Sequence, residues 1–309
     1  MKTPKFLLLI CLFSFGAFAQ EGLTEKNYRI YDTRLGKEVK LADIVESMTQ
    51  NDVLIFGEEH NDSVTHFLQH KLFSLLFARF GTEVVLSMEM FDRDVQPVMN
   101  EYLQGFIREK NFKKDARSWS NYKDYRPMVE FAKENKLAVV CANAPSRYTN
   151  MAGRLGQESL QKLPKETQQW FAPLPYDTAS GAYYEKLTGL SLHAPATADT
   201  AKKKLPAMNM GNFNLVVAQS LWDATMAYSI ASYWKANKKK KIFQVNGKFH
   251  SDERFAIVTQ LSKYAPKAKV IVISSASDEK FPDIQWSDYQ KEGDFVIITD
   301  PSIPRTYKD

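Results

Sequence analysis

The chain has 309 residues, with 41 Lys and Arg against 36 Asp and Glu and a formal charge of +5. That excess is too mild to argue for a nucleic-acid partner, and no Gly-rich phosphate loop and no contiguous His-Glu-x-x-His is present. Length and an ordinary composition admit one large domain or two small ones.

The first residues read as a secretory signal peptide. Lys2 and Lys5 make a positive start, and Phe6 to Phe18 is an apolar run too short for a membrane span. Ala17-Phe18-Ala19 is a small-x-small cleavage site, so residues 1–19 are expected to be removed and the protein exported to a periplasm or secreted. Without Lys2 and Lys5 the charge falls to about +3. Cys11 lies inside the apolar run behind Leu9 and Ile10, which does not suit a lipoprotein cysteine. Cys141 is then the one cysteine of the mature chain, so no intrachain disulfide forms, and a buried strand thiol is its expected state.

Tyr28 to Tyr31 and Lys37 to Leu41 read as a hairpin turning near Leu35-Gly36, followed by a short helix near Ala42 to Met48. Val53 to Phe56, ending in Gly57, is a brief apolar run of the kind found in buried parallel strands. Asp62 caps a helix to about Phe80 with a core stripe of Val64, Phe67, Leu68, Leu72, Leu75 and Leu76, and Gly81 stops it. The opposite face of that helix carries His66, His70, Phe73 and Phe77, which suits packing under an inserted region, a ligand surface or a dimer surface. Val84 to Met88 is a second strand, Asp94 to Arg108 a helix, Met128 to Asn135 another, and Leu137 to Ala142 a third strand. Phe213 to Lys235 is a long helix, Ile242 to Asn246 a strand, Asp252 to Tyr264 a helix, and Lys269 to Ser274 and Phe295 to Thr299 the last strands. Alternation of this kind predicts one α/β domain over 20–309 with a mostly parallel central sheet flanked by helices. Residues about 156 to 210 break the rhythm with five prolines, and are expected to form a helical and loop insertion over the strand ends, either a lid or a surface excursion.

In parallel sheets ligands bind outside the carboxyl ends of the strands, so the residues closing each strand carry the functional argument. They are Gly57-Glu58-Glu59-His60, Glu89-Met90-Phe91-Asp92, Asn143-Ala144-Pro145 and Gly247-Lys248-Phe249-His250. A Gly-x-x-His pattern closes two strands. His60, Glu89 and His250 are a possible ligand set for Zn, Mn or Fe(II), and the same groups serve equally as acid and base without a metal. His66 and His70 form an i, i+4 pair without a carboxylate partner, a weaker metal candidate. Asp223, among Trp222, Met226 and Ala227, is expected to be buried and to need a partner; with Gln219 it is placed to orient a site histidine, or else it only pins its helix.

These motifs, in order, resemble the ChaN-like haem-binding uptake family, grouped with Tiki-type metalloproteases and erythromycin-esterase-like proteins. The resemblance rests on Gly57-Glu58-x-His60 and Glu89-Met90-Phe91 with Gln96. It continues through Trp119-x-x-Tyr122-x-x-Tyr125 and Ala142-Asn143-Ala144-Pro145, then Gln219-x-x-Trp222-Asp223-x-x-Met226-Ala227 and Gly247-x-x-His250. It implies an exported haem-binding protein in iron uptake, working beside outer-membrane uptake machinery, with haem held by tyrosine between two associated subunits. Tyr122, Tyr125 and Tyr148 are the candidate ligands, with His66 and His70 as further haem contacts. No Cys-x-x-Cys-His occurs, so any haem is non-covalent. Lys248-Phe249 stands where the family pattern suggests a smaller residue. The alternative is a metal-dependent hydrolase of the Tiki or esterase type, with a divalent transition metal at His60, Glu89 and His250 and with Glu58 or Glu59 as base. An inactive scaffold is a third reading.

Overall fold

Short apolar runs become the strands of one eight-stranded sheet in the computed structural model, which describes residues 22–192 and 213–307. The expected signal peptide and residues 193–210 of the expected insertion fall outside the described residues. The strands are β1 (Tyr28–Asp32), β2 (Lys37–Glu38), β3 (Val53–Glu58), β4 (Val84–Asp92), β5 (Val139–Asn143), β6 (Lys241–Gly247), β7 (Val270–Ser277) and β8 (Phe295–Thr299). Their spatial order is β2-β1-β8-β7-β3-β6-β4-β5. All neighbours from β8 to β5 pair in parallel, and β1 runs antiparallel to β2 and β8. The mostly parallel α/β architecture is therefore present.

Side chains alternate between two cores, as period-2 geometry requires. Leu54, Phe56, Leu86, Met88, Phe243, Val245, Ile271 and Ile273 face one cluster. Val53, Ile55, Ile242 and Val272 face the other. The first core is covered by α1 (Leu41–Ser47), α2 (Ser63–Phe80), α3 (Gln96–Leu103), α4 (Glu109–Asp115) and α5 (Tyr122–Glu134). The second is covered by α9 (Leu215–Ala236) and α10 (Ile257–Tyr264); between α5 and α9 in sequence lie α6 (Ser146–Leu155), α7 (Lys165–Gln168) and α8 (Gly181–Leu192).

Four sequence expectations need correction. The helix expected over Asp94 to Arg108 is shorter, Gln96–Leu103, because a turn at Gln104-Gly105 ends α3 and returns Phe106 N–H to the Glu101 carbonyl at 2.9 Å; α4 begins afresh at Glu109. The helix expected from Met128 begins at Tyr122. Pro127 lies inside it, where a proline normally punctuates. The helix expected from Asp252 begins at Ile257, because Glu253, Arg254 and Ala256 take left-handed φ of 56°, 60° and 47°. The aromatic face of α2 packs on α5, not under the insertion: the His66 ring meets Tyr125 at 5.0 Å, and His70, Phe73 and Phe77 all meet Phe131.

The insertion instead closes over α9 and α6. Leu160, Phe171, Ala172 and Tyr176 pack with Leu221, Ala224, Tyr148 and Ala152. That second layer explains why α9 is buried on more than one side, with Met226, Ala227 and Ile230 turned to the sheet. Among the described residues no helix is long and apolar enough to cross a membrane.

Asp62 ties the site end of the fold together. Its carboxylate accepts Val64 N–H at 2.9 Å and Thr65 N–H at 3.0 Å, capping α2. It also accepts the Thr299 hydroxyl from β8 and lies 3.4 Å from Arg305. Asp62→Ala is expected to lower the unfolding free energy by about 2 kcal/mol in urea titration, from loss of the cap and of a buried hydroxyl partner. A loss below about 0.5 kcal/mol would show that the cap is not holding the helix there.

Candidate functional site

The two Gly-x-x-His motifs close β3 and β6, which are neighbours in register: Gly57 pairs with Asn246 and Glu58 with Gly247. The two motif glycines, Gly57 and Gly247, are more than half the chain apart in sequence and one strand spacing apart in the sheet. Both glycines are needed for close approach. A Cβ at Gly57 would lie 2.8 Å from Lys248 Cα, and one at Gly247 would lie 2.7 Å from His60 Nε2. Glu89 arrives from β4 on the far side of β6 and accepts Gly247 N–H at 2.7 Å.

Each histidine has a buried carboxylate behind it. His60 Nδ1 lies 2.8 Å from Glu58 Oε1, and His250 Nδ1 lies 2.6 Å from Asp223 Oδ1. His250 Nε2 faces Glu89 Oε1 at 3.4 Å. Glu58 is 1% exposed and fully engaged: it accepts the Tyr125 hydroxyl at 2.5 Å and the Gln69 amide, and it lies 3.5 Å from His66 Nδ1. His66 also donates from Nε2 to the His60 carbonyl at 3.0 Å, and Trp119 sets its ring against the His60 imidazole. Asp223 is 1% exposed, accepts the Tyr183 hydroxyl from α8 at 2.7 Å, and shares His250 with the Gln219 amide at 3.2 Å.

The electrostatics follow from this pairing. Burial opposes a charge on His250, but Glu89 and Asp223 outweigh it and push its pKa up to about 10. Burial likewise opposes a charge on His60, and Glu58 and Glu89 raise it. Burial pushes Glu58 up, yet His66 and His60 bring it below the ordinary carboxylate value; Glu89 is lowered in the same way against its own burial, chiefly by His250. The site is a set of charge pairs sealed into the sheet end.

An open cavity of about 780 Å³ lies over these groups. Its floor is His60, Gly247 and His250, and its rim is Glu59, Lys248, Phe249, Arg305 and Tyr307. Arg305 and Tyr307 belong to no motif of the sequence. The C-terminal tail has no periodicity to flag it, and returns to the site through Thr306 N–H on the Asn61 carbonyl at 2.9 Å and Ser63 Oγ on the Pro304 carbonyl at 2.7 Å. Tyr183 was hidden in the proline-rich insertion.

The sequence-predicted tyrosines do not line this cavity. Tyr122 and Tyr125 are buried on α5 in the first core, and burial raises the pKa of each phenol well above its ordinary value. Tyr148 packs on Phe171 beneath the insertion. His70 meets Phe131 edge-to-face, and its burial lowers its pKa. His60, Glu89 and His250 do converge. Among the described residues, however, no group of three or more His, Cys, Asp or Glu is arranged to hold a metal ion. Glu89 is bonded to a backbone N–H, and neighbouring carboxylates raise the pKa of both imidazoles, which favours the protonated form that cannot ligate. As arranged, the set does not fit a metal site.

The pH dependence of stability has a definite sign. His250 has its folded pKa raised from 6.5 to about 10, so its contribution is complete below pH 6.5 and is lost as pH rises toward 10. Glu58 and Glu89 are lowered below 4.5, so their contribution is lost as pH falls below that value. Urea midpoints are expected to fall between pH 7 and pH 9.5 in the unaltered chain and to fall less in His250→Gln. Equal slopes in the two proteins would contradict the pairing of His250 with Glu89 and Asp223.

The fold and motifs have known counterparts. A family model described as haem-binding uptake, Tiki superfamily, ChaN matches residues 44–261. A solved structure of ChaN of Campylobacter jejuni, described as showing cofacial haem binding, superimposes with a TM-score of 0.65 at 16% identity, covering 89% of this chain and 98% of that one. The type III effector HopBA1 aligns with a TM-score of 0.46 at 12% identity, over 84% of this chain and 93% of that one. An erythromycin esterase mutant in its open conformation aligns with a TM-score of 0.46 at 11% identity, over 89% of this chain and 83% of that one. No curated protein matches the sequence. With the family model spanning more than two thirds of its length, the chain belongs to the haem-binding uptake family of the Tiki superfamily, ChaN.

Proposed function

We propose that this protein binds haem non-covalently in the cavity over His60 and His250 and serves haem uptake outside the cytoplasm. Membership of a haem-binding uptake family over residues 44–261 carries the reading. The cavity supports its location. Its volume of about 780 Å³ suits a small-molecule site, and its rim offers two cations, an aromatic ring and a phenol in Lys248, Arg305, Phe249 and Tyr307. Tyrosinate is a known haem ligand. Tyr307 is the tyrosine on the cavity wall, whereas Tyr122, Tyr125 and Tyr148 would have to leave packed interiors to reach iron. Haem bound there would supply the iron; the chain supplies the phenol, the propionate partners and a wall that shields one face from water. Export by the residues 1–19 leader, a pair of chains sharing the ligand and an outer-membrane partner belong to the same reading.

A second reading has its own observation. Two histidines with a carboxylate behind each Nδ1 share one cavity floor, which is an arrangement able to move protons in hydrolysis. In that reading His60 or His250 handles the proton at the cavity. Glu58 is sealed among Gln69, Tyr125 and the histidines, so it orients His60 rather than acting as the base itself.

Haemin titration followed in the visible spectrum separates the two. The haem reading expects saturable binding with a tyrosinate-type spectrum, loss of that signature in Tyr307→Phe, and near-normal affinity in His60→Ala. The hydrolase reading expects no saturable haemin binding, and esterase or peptidase activity that His60→Ala abolishes. A tyrosinate spectrum retained in Tyr307→Phe would return the ligand to one of the three interior tyrosines.

A further inference from the structure

At the rim of the cavity the side chain of Glu59 is held between two cations. Glu59 Oε1 lies 3.3 Å from Lys248 Nζ and Oε2 lies 2.9 Å from Arg305 Nη2. Glu58 and Glu59 are adjacent in sequence but point opposite ways, one into the sealed interior and one to the rim. We propose that Lys248 and Arg305 are a clamp for ligand carboxylates, that Glu59 occupies it, and that the propionates of a porphyrin replace Glu59 there on binding. This rests on the haem reading given above and adds to it the residues that select the ligand.

Three observations carry the proposal. First, Arg305 does not depend on Glu59 for its position. Its Nη1 lies 3.2 Å from Asn61 Oδ1 and 3.4 Å from Asp62 Oδ2, and its Nη2 also donates to Ser277 Oγ. The guanidinium therefore stays aimed at the rim when its remaining partner is exchanged, which is the preorganisation that makes a binding group effective. Second, Lys248 has a fixed root, because its backbone rests against Gly57 with no room for a Cβ between them. Its side chain above that root remains a third exposed. Third, the magnitudes favour exchange. The three side chains are 33%, 32% and 27% exposed, and ion pairs this open to water contribute little to stability. Swapping one carboxylate for another costs little, and the new partner brings the rest of its surface into the cavity. A carboxylate suits the guanidinium fork and the ammonium better than any neutral group does.

The test uses the full mature chain and haemin, with haemin dimethyl ester as a probe lacking free carboxylates and succinate as a small dicarboxylate. Lys248→Gln and Arg305→Gln are each expected to weaken haemin binding about tenfold, and Glu59→Gln to tighten it about threefold or more by freeing the cations. The diester is expected to bind the unaltered chain about as weakly as haemin binds the two cation variants, and to ignore all three substitutions. If Arg305→Gln does not fold, Lys248→Gln still decides, since it leaves the Asn61, Asp62 and Ser277 contacts of Arg305 intact. Haemin binding that is indifferent to esterification and to the substitutions overturns the clamp alone. Absence of saturable haemin binding by the unaltered chain overturns the haem reading and the clamp with it. Succinate binding that Glu59→Gln strengthens while haemin affinity stays unchanged would assign the clamp to small dicarboxylates and overturn the proposal.

Discussion

Three carboxylates, those of Glu58, Glu89 and Asp223, are almost wholly removed from water at one end of the sheet, and the surrounding structure exists around that burden. An unpaired buried charge would cost several kcal/mol, so each must be met by cations and donors. His60 and Tyr125 meet Glu58, with Gln69 and His66 behind them; His250 and the Gly247 N–H meet Glu89; His250 and Tyr183 meet Asp223. His250 meets Glu89 and Asp223 at once, which couples these groups into a unit rather than a set of independent contacts.

The unit also explains how distant parts of the chain are recruited. α2 supplies Gln69 and His66, α5 supplies Tyr125, α8 supplies Tyr183, and α9 supplies Asp223 and Gln219. The helix from the insertion is thus tied to the site by a hydrogen bond from Tyr183 and by its ring against Phe249 and Phe255. Outside this sealed layer the character changes. The rim is solvent-facing, its cations are balanced by Glu59, and its partners are exchangeable. Interior charges fix the architecture, and rim charges are available to a ligand.

Much of this was legible in the residues. The strand-end rule and the paired Gly-x-x-His motifs pointed to His60, Glu89 and His250 together, because a parallel sheet must deliver its strand ends to one edge. The fold class followed from the alternation of short apolar runs with helices. What could not be read was partnership. Periodicity showed that α2 has two apolar faces but not that α5 covers the second, because Pro127 obscured the first turns of α5. The family resemblance made Tyr122 and Tyr125 candidate ligands, and only packing shows that they sit in the core. The tail carrying Arg305 and Tyr307 reaches the rim through a backbone bond to Asn61 and a hydrogen bond from the Ser63 hydroxyl, and no sequence pattern reports such a return.

The central claim is that the cavity over the two strand-end histidines is the haem site. Backbone amide NMR of the isotope-labelled chain with diamagnetic zinc protoporphyrin tests it most directly. The account predicts that shifted amides cluster at residues 57–61, 247–250 and 305–307. Shifts centred instead on α5 and the aromatic face of α2, around Tyr122, Tyr125 and His70, with the strand ends silent, would contradict it.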